Sequence, residues 1–336
     1  MFPFDSLHFH WNRWRALRAA EAGLPRLAEH ERAKIANFKE KFRRLPVAPV
    51  TGVPPNAADW NSAMNRLRDL GASADPRAFQ RWDVIEARMA HVNSPATADE
   101  LAALKASADW ASRWRPAIRE VEIGRPHRYW QYRDSSEVLI QTVYHVMRLE
   151  LLSGRRVEDW DVVVEFGGGF GGLCRVMHTL GFSGRYWILD LPPFTLLQQY
   201  YLAEAGIMTR DSHRVVATSE LSDLEAFVAT IPPDAAAVFW ATWSLSETPV
   251  ALRERIKPLV ARIGNYCLAY QGTYGDVNNT EYFQHHWFGA SPNVERIAHR
   301  ANDYYMANRA TPRAGAGHSW VLLGKKGRTS GPQTGF

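Results

Sequence analysis

Cysteine is scarce in this chain. Two occur in 336 residues, Cys174 and Cys267, each inside an apolar run (LCRVM and NYCLAY). Two such thiols make neither a disulfide framework nor a zinc site, and they fit a reducing, cytoplasmic setting. Long apolar runs are missing as well. Arg, Lys, Asp or Glu interrupts every one before it nears the roughly 18 residues of a membrane span. The opening MFPFDSLHFHWNRWR lacks the basic region and apolar stretch of a signal peptide, so the acceptor-like Asn278-Asn279-Thr280 carries no weight. No internal repeat is present. With 46% apolar and 22% charged residues, the chain is neither disordered nor collagen-like. Its length fits about two domains of roughly 150 residues.

An excess of positive charge is absent outside one place. The net charge is +5, and residues 1–50 carry ten Lys/Arg against five Asp/Glu, so the whole excess lies there. EHERAKIANFKEKFRR mixes both signs at helical spacing, which reads as a solvated helix face rather than a nucleic-acid arm. Residues 151–250 run the other way, six basic against twelve acidic. A nucleic-acid reader does not place its most elaborate motif in its most acidic stretch. No nucleic-acid partner and no membrane span are expected.

The first 155 residues read as helical, a cap region with a Pro-rich connector at 45–58. Helices are expected near 11–22, 27–44, 59–70, 78–91 and 97–108. Thr97 and Glu100 form a candidate capping box for the last of these. Asp134-Ser-Ser-Glu137 repeats that signal ahead of a helix in which Leu139, Val143, Val146 and Met147 share one stripe and which Gly154 ends. From 156 to 326 the texture alternates strand and helix. Strands are expected at 161–166, 185–190, 213–217, 235–242 and 265–271, then an irregular helical stretch at 280–300 and a closing pair at 302–308 and 319–326. Five βα units closed by a hairpin predict an α/β fold, a doubly wound sheet of seven strands behind an N-terminal helical domain. Residues 327–336 read as a disordered tail.

The sharpest motif is Val163-Val164-Glu165-Phe166-Gly167-Gly168-Gly169-Phe170-Gly171-Gly172. A strand feeding a glycine turn into a helix lets a ligand lie against bare backbone. Gly167, Gly169 and Gly172 satisfy the dinucleotide pattern, whereas Glu165, Gly167, Gly169 and Gly171 satisfy the S-adenosylmethionine pattern. Asp190, ending the next strand, suits a ribose diol in either case. Glu165 separates the two, because a carboxylate there complements the ammonium of a methionyl group and repels a pyrophosphate. Some 160 residues precede the glycine strand, which is also unlike a nicotinamide domain.

Four segments, VVVEFGGGFGGLCRVMHTLG, RYWILDLPPFTLLQQYYL, FWATWSLSETP and YCLAYQGTYGDVNNTEYF, together resemble a bacterial family described as sugar O-methyltransferases. The resemblance covers about residues 125–325. It implies a Rossmann-like class I methyltransferase fold, S-adenosylmethionine as cofactor, and contacts to it from Glu165, Gly167, Gly169, Gly171 and Asp190, with Leu191 beside the adenine. It implies a sugar or glycoside hydroxyl as acceptor and supplies no catalytic base.

A base should project from the carboxyl ends of the strands, where open α/β sheets bind ligands. His286 is the first candidate, since an imidazole accepts a proton near neutral pH. Glu247 is the second, although as the residue after Ser246 it also reads as decoration of a helix start. His285 adjoins the first, and His145 reads as structural. Gln271, Asp276 and Asn278 suit the gripping of hydroxyls, or form an Asx-rich turn. No converging carboxylates point to a metal. The competing readings are a methyltransferase-like module without catalysis and a nicotinamide oxidoreductase. The helical region is expected to cap the substrate side or to mediate self-association.

Overall fold

The computed structural model of the chain describes residues 17–89, 96–209, 214–261, 263, 265–287, 294–299 and 319–324. They fall into two compact units that interleave along the sequence. A helical unit draws on Met1–His145, Gly168–Leu180 and Asp190–His213, and a sheet unit draws on Val146–Gly167, Gly181–Leu189 and Arg214–Phe336.

The helical unit contains α1 (Glu29–Arg43), α2 (Pro55–Ser73), α3 (Asp83–Arg88), α4 (Ala96–Ala106), the first half of α5 (Glu137–Ser153), α6 (Gly172–Thr179) and α7 (Pro192–Glu204). Pro55 and Pro192 occupy first helical positions, where a missing N–H costs nothing. The expected single helix at 78–91 is instead a 3-10 turn, Pro76–Arg81, followed by α3. Aromatic rings join the elements: Phe38 lies 4.9 Å from Tyr200, and Phe79 lies 5.6 Å from Phe170 and 5.8 Å from Tyr201, centroid to centroid. Arg175 of α6 and Glu120, both nearly enclosed, pair at 3.4 Å, and Ser136 Oγ donates to the same carboxylate at 2.5 Å.

Both candidate capping boxes work differently from expectation. Ala96 already lies in α4, so Thr97 and Glu100 sit within the helix, 2% and 3% exposed. Thr97 Oγ1 reaches Glu137 at 3.4 Å, and burial pushes the Glu100 carboxyl up to about 8. At α5 the cap is Ser136, whose Oγ accepts from Leu139 N–H at 3.2 Å. The stripe of Leu139, Val143, Val146 and Met147 is buried as the periodicity requires.

The sheet unit holds β1 (Val162–Phe166), β2 (Arg185–Leu189), β3 (Val215–Thr218), β4 (Ala237–Thr242) and β5 (Asn265–Gln271), all parallel. A short hairpin, β6 (Thr273–Tyr274) and β7 (Val277–Asn278), follows. Then β8 (Val294–His299) and β9 (Ser319–Gly324) pair antiparallel, giving the order β3-β2-β1-β4-β5-β9-β8. The strand at 294–299 replaces part of the helical stretch expected at 280–300. The expected strand at 302–308, the tail and the first half of the helix at 11–22 lie outside the described residues. Every residue of β1 is buried, as its unbroken apolar run implies. Val162, Val164 and Phe166 share one face with Leu224 and Phe227 of α8 (Leu221–Ala229) and Ile256 and Val260 of α9 (Val250–Val260). Among the described residues no helix is long and apolar enough to cross a membrane. Both cysteines are buried.

Arg253, enclosed to 0% exposure, fastens the segments that follow β4 and β5. Its guanidinium donates to Thr248 O at 2.9 Å, Ser246 O at 2.6 Å and Asn279 Oδ1 at 2.7 Å, and it stacks 5.0 Å from the Tyr282 ring. Replacing it with an apolar side chain strands two of these acceptors, Thr248 O and Asn279 Oδ1, while Ser246 O keeps Asn279 Nδ2 at 3.1 Å. The cost is about 1–3 kcal/mol for each buried group left without its partner. Arg253→Leu should therefore lower unfolding stability by roughly 3 kcal/mol or more, read as a shift of the urea midpoint. A shift equivalent to under about 1 kcal/mol would show these bonds to be replaceable.

Candidate functional site

The glycine turn follows β1 and leads into α6. Gly167, Gly169 and Gly171 adopt φ of +74°, +59° and +95°, a region that favours glycine. These are the alternating glycines of the S-adenosylmethionine pattern, whereas Gly172 is the first residue of α6. Their neighbours also exclude a side chain. A β-carbon on Gly167 would lie 2.1 Å from Ser244 Cβ, and one on Gly169 would lie 3.1 Å from Met89 Sδ. The turn thus requires glycine for its own conformation and packing, independently of any ligand.

In the helical unit, Asp190 grips this turn. Gly169 N–H donates to Asp190 Oδ2 at 3.0 Å, and Leu191 N–H donates to Oδ1 at 2.7 Å. Gln198, one helical turn into α7 and wholly buried, donates from Nε2 to Asp190 Oδ2 at 2.7 Å and to Gly169 O at 2.9 Å. Burial pushes the Asp190 carboxyl up to about 7, against the opposing pull of these donors. Leu191, half-buried, precedes α7 as its N-cap. Gln198 was not singled out from the sequence. The signal available was a polar pair, Gln198-Gln199, interrupting the apolar run FTLLQQYYL.

In the sheet unit, Glu165 is 3% exposed and lies on the face of β1 opposite α8 and α9. Tyr186 Oη donates to its Oε2 at 2.7 Å. The carboxylate is therefore oriented by a neighbour two residues back from its own register partner, Ile188. At the carboxyl end of β4, Trp243 takes φ +68° and ψ −40°, unusual for a bulky residue and worth of the order of 1–3 kcal/mol of strain. Ser244 then donates to Phe166 O. Glu247, half-buried, accepts from Gln271 Nε2 at 2.9 Å, and Ser246 Oγ donates to Gln271 Oε1 at 2.6 Å. Glu247 and Gln271 are thus brought together.

The remaining candidates make other contacts. His286 is exposed, and its backbone carbonyl accepts from Lys257, in the third turn of α9. The backbone of His285 lies in the same π-helical turn, Tyr282–Trp287. Asp276 is exposed in the turn of the β6–β7 hairpin. Asn278 Oδ1 accepts from Glu281 N–H at 3.1 Å, an N-cap in the manner of an Asx turn. His145 is buried within α5. Among the described residues, no three His, Cys, Asp or Glu side chains converge as metal ligands. A separate pocket of about 270 Å³ in the helical unit, lined by Val121, Ile123, Arg175, His178 and Ile207 among others, contains none of the predicted residues.

No protein-family model and no curated protein matches this sequence. Among solved structures, a Galdieria sulphuraria protein described as a sarcosine dimethylglycine methyltransferase is 12% identical over 56% of this chain and 86% of its own, with a TM-score of 0.40. A precorrin-6y C5,15-methyltransferase from Geobacter metallireducens is 14% identical over 63% of this chain and 100% of its own, with a TM-score of 0.38. An rRNA methylase from Streptococcus thermophilus is 12% identical over 53% and 94%, with a TM-score of 0.36.

The raised Asp190 carboxyl has a measurable signature. Folding tightens its hold on a proton relative to the ordinary value of 3.8, so this group costs stability progressively as pH rises from about 4 through about 7. Asp190→Asn removes the ionisation. The melting temperature of the variant minus that of the wild type should therefore increase between pH 5 and pH 8. A difference that stays flat across that range would show that Asp190 titrates normally.

Proposed function

We propose that the protein is an S-adenosylmethionine-dependent O-methyltransferase acting on a hydroxyl of a sugar or glycoside. The observation that carries the reading is the clasp of Asp190 on Gly169, a carboxylate at the end of β2 fastened to a glycine turn after β1. Asp190 Oδ1 accepts from the Leu191 amide, and since a carboxylate offers about four acceptor positions the group has capacity left for a ribose hydroxyl. The residues present therefore fit the cofactor. Gly167, Gly169 and Gly171 would present backbone to it, Leu191 would flank the adenine, and Glu165 would face the methionyl ammonium. The strand order supports this over a dinucleotide. The dinucleotide fold continues 3-2-1-4-5-6 in parallel, whereas here β5 is followed by antiparallel β9 and then β8.

S-adenosylmethionine supplies a methyl group already activated on a sulfonium. The protein's part is to orient the acceptor, worth about 7–11 kcal/mol in well-aligned systems, and to take its proton, worth about 10²–10⁴-fold. Glu247 is the base we favour, because it stands after β4 at the ligand-binding edge of the sheet and Gln271 holds its carboxylate at 2.9 Å. Gln271, half-buried, adds a side-chain amide of the kind suited to hydroxyls. His286, the first candidate from the sequence, becomes the second choice with His285, because the His286 side chain is exposed.

Calorimetry tests the first step. S-adenosylhomocysteine should bind and NAD should not, and Asp190→Ala should weaken binding by about 1.5–3 kcal/mol, the range for hydrogen bonds to a charged group. Tight NADH binding with no affinity for S-adenosylhomocysteine would overturn the assignment. For the base, Glu247→Gln should lose at least about 10²-fold in turnover on an identified acceptor with cofactor affinity intact. If His286→Ala shows that loss and Glu247→Gln does not, the roles are reversed.

A further inference from the structure

We infer that Gln198 is a positioning residue that fixes the glycine turn and the Asp190 carboxylate in one geometry before a ligand arrives. The inference rests on the reading of that turn as a nucleoside-binding element. Gln198 Nε2 donates both of its hydrogens within the site, one to Gly169 O at 2.9 Å and one to Asp190 Oδ2 at 2.7 Å. Asp190 Oδ2 also takes Gly169 N–H at 3.0 Å. The residue Gly169 is thus held at its N–H by the carboxylate and at its C=O by the amide, and the two holders are bonded to each other. The closed ring of contacts maintains φ +59° at Gly169.

The other half of the amide shows why the residue is glutamine. Gln198 Oε1 is buried with no hydrogen-bond partner among the described residues. Turning the amide over would not help, because Oε1 would then face two acceptors, Gly169 O and Asp190 Oδ2. An aliphatic side chain of similar size would fill the same enclosed space with no carbonyl of its own to satisfy, but it would take the donor from Gly169 O. What glutamine contributes beyond packing is therefore its pair of N–H bonds, retained despite an unpaired carbonyl. The groups facing Asp190 are the backbone amides of Gly168, Gly169 and Leu191 and this side-chain amide, and Met89, following α3, packs against Gly169. A turn ordered in advance spares a ligand the entropic cost of ordering it.

Hydrogen exchange on the full chain without ligand tests the clamp. In Gln198→Met, the peptide spanning Phe166–Leu173 should exchange at least ten-fold faster, while peptides from α1 and β4 keep their rates. Affinity for S-adenosylhomocysteine should fall at least ten-fold. The pH below which binding fades should also move upward, because the amide no longer favours the ionised carboxylate. Unchanged exchange across the turn overturns the positioning role whatever the ligand. Faster exchange in the variant, with no S-adenosylhomocysteine binding by the wild type, keeps the clamp and defeats the cofactor reading instead. If Gln198→Met fails to fold, the isosteric Gln198→Glu carries the test: its turn should loosen more at pH 8 than at pH 5, where a protonated carboxyl still donates one bond. Equal protection of the turn at both pH values, once the intrinsic pH dependence of exchange is divided out, would reduce Gln198 to a filler of space.

Discussion

Asp190 sits where two forces oppose each other. Desolvation favours the neutral acid, while the Gly169 and Leu191 amides and the Gln198 side chain favour the anion. The helical unit around the glycine turn is arranged about that balance. α7 begins at Pro192, so its first turn carries Leu191 as cap and its second brings Gln198 back to Asp190. Phe170, between two of the glycines, is fixed by the rings of Phe79 and Tyr201. Aromatic packing therefore holds the turn on one side and hydrogen bonding on the other.

The sheet unit solves a different problem. Ligand-binding groups in an open α/β sheet come from segments beyond the strands, and such segments are ordinarily the loosest parts of a fold. Here the segments after β4 and β5 are fastened to each other by Arg253, Asn279 and Ser246, all fully buried. The Glu247–Gln271 pair projects from this rigid base. The strained backbone of Trp243 is tolerated because its N–H still joins the sheet through Ala269 O at 2.7 Å and because Ser244 is secured to Phe166 immediately after it.

The architecture was legible in the sequence where hydrophobic period and glycine placement agreed. The five parallel strands fall within two residues of expectation, since each was a short apolar run between turn residues. What stayed hidden were contacts between residues far apart in the chain. Tyr186 orients Glu165 from 21 residues away and Ser244 meets Phe166 from 78, and nothing local in either residue announces the partner. Thr97 and Glu100 matched a capping pattern yet are buried within the first five residues of α4, where Thr97 meets Glu137 of α5 rather than capping the helix. Asp190 was recognisable from its place after a strand. Gln198 was not, because a glutamine in a helix carries no pattern until its partners are known.

The interleaving of the two units has a consequence for how this protein can be cut or recombined. The chain passes between them five times, and α6 and α7, which flank β2 in sequence, share their packing with α1, α2 and Phe79. A fragment starting at residue 156 would retain Phe170, Phe194 and Tyr200 while discarding Phe79, Trp60 and Phe38, the rings that cover them. It would also discard Lys34, the ion-pair partner of Glu204. The N-terminal helices are consequently not a detachable module that could be grafted onto another sheet. They are one half of a joint whose other half is threaded through the strands, so the two must vary together.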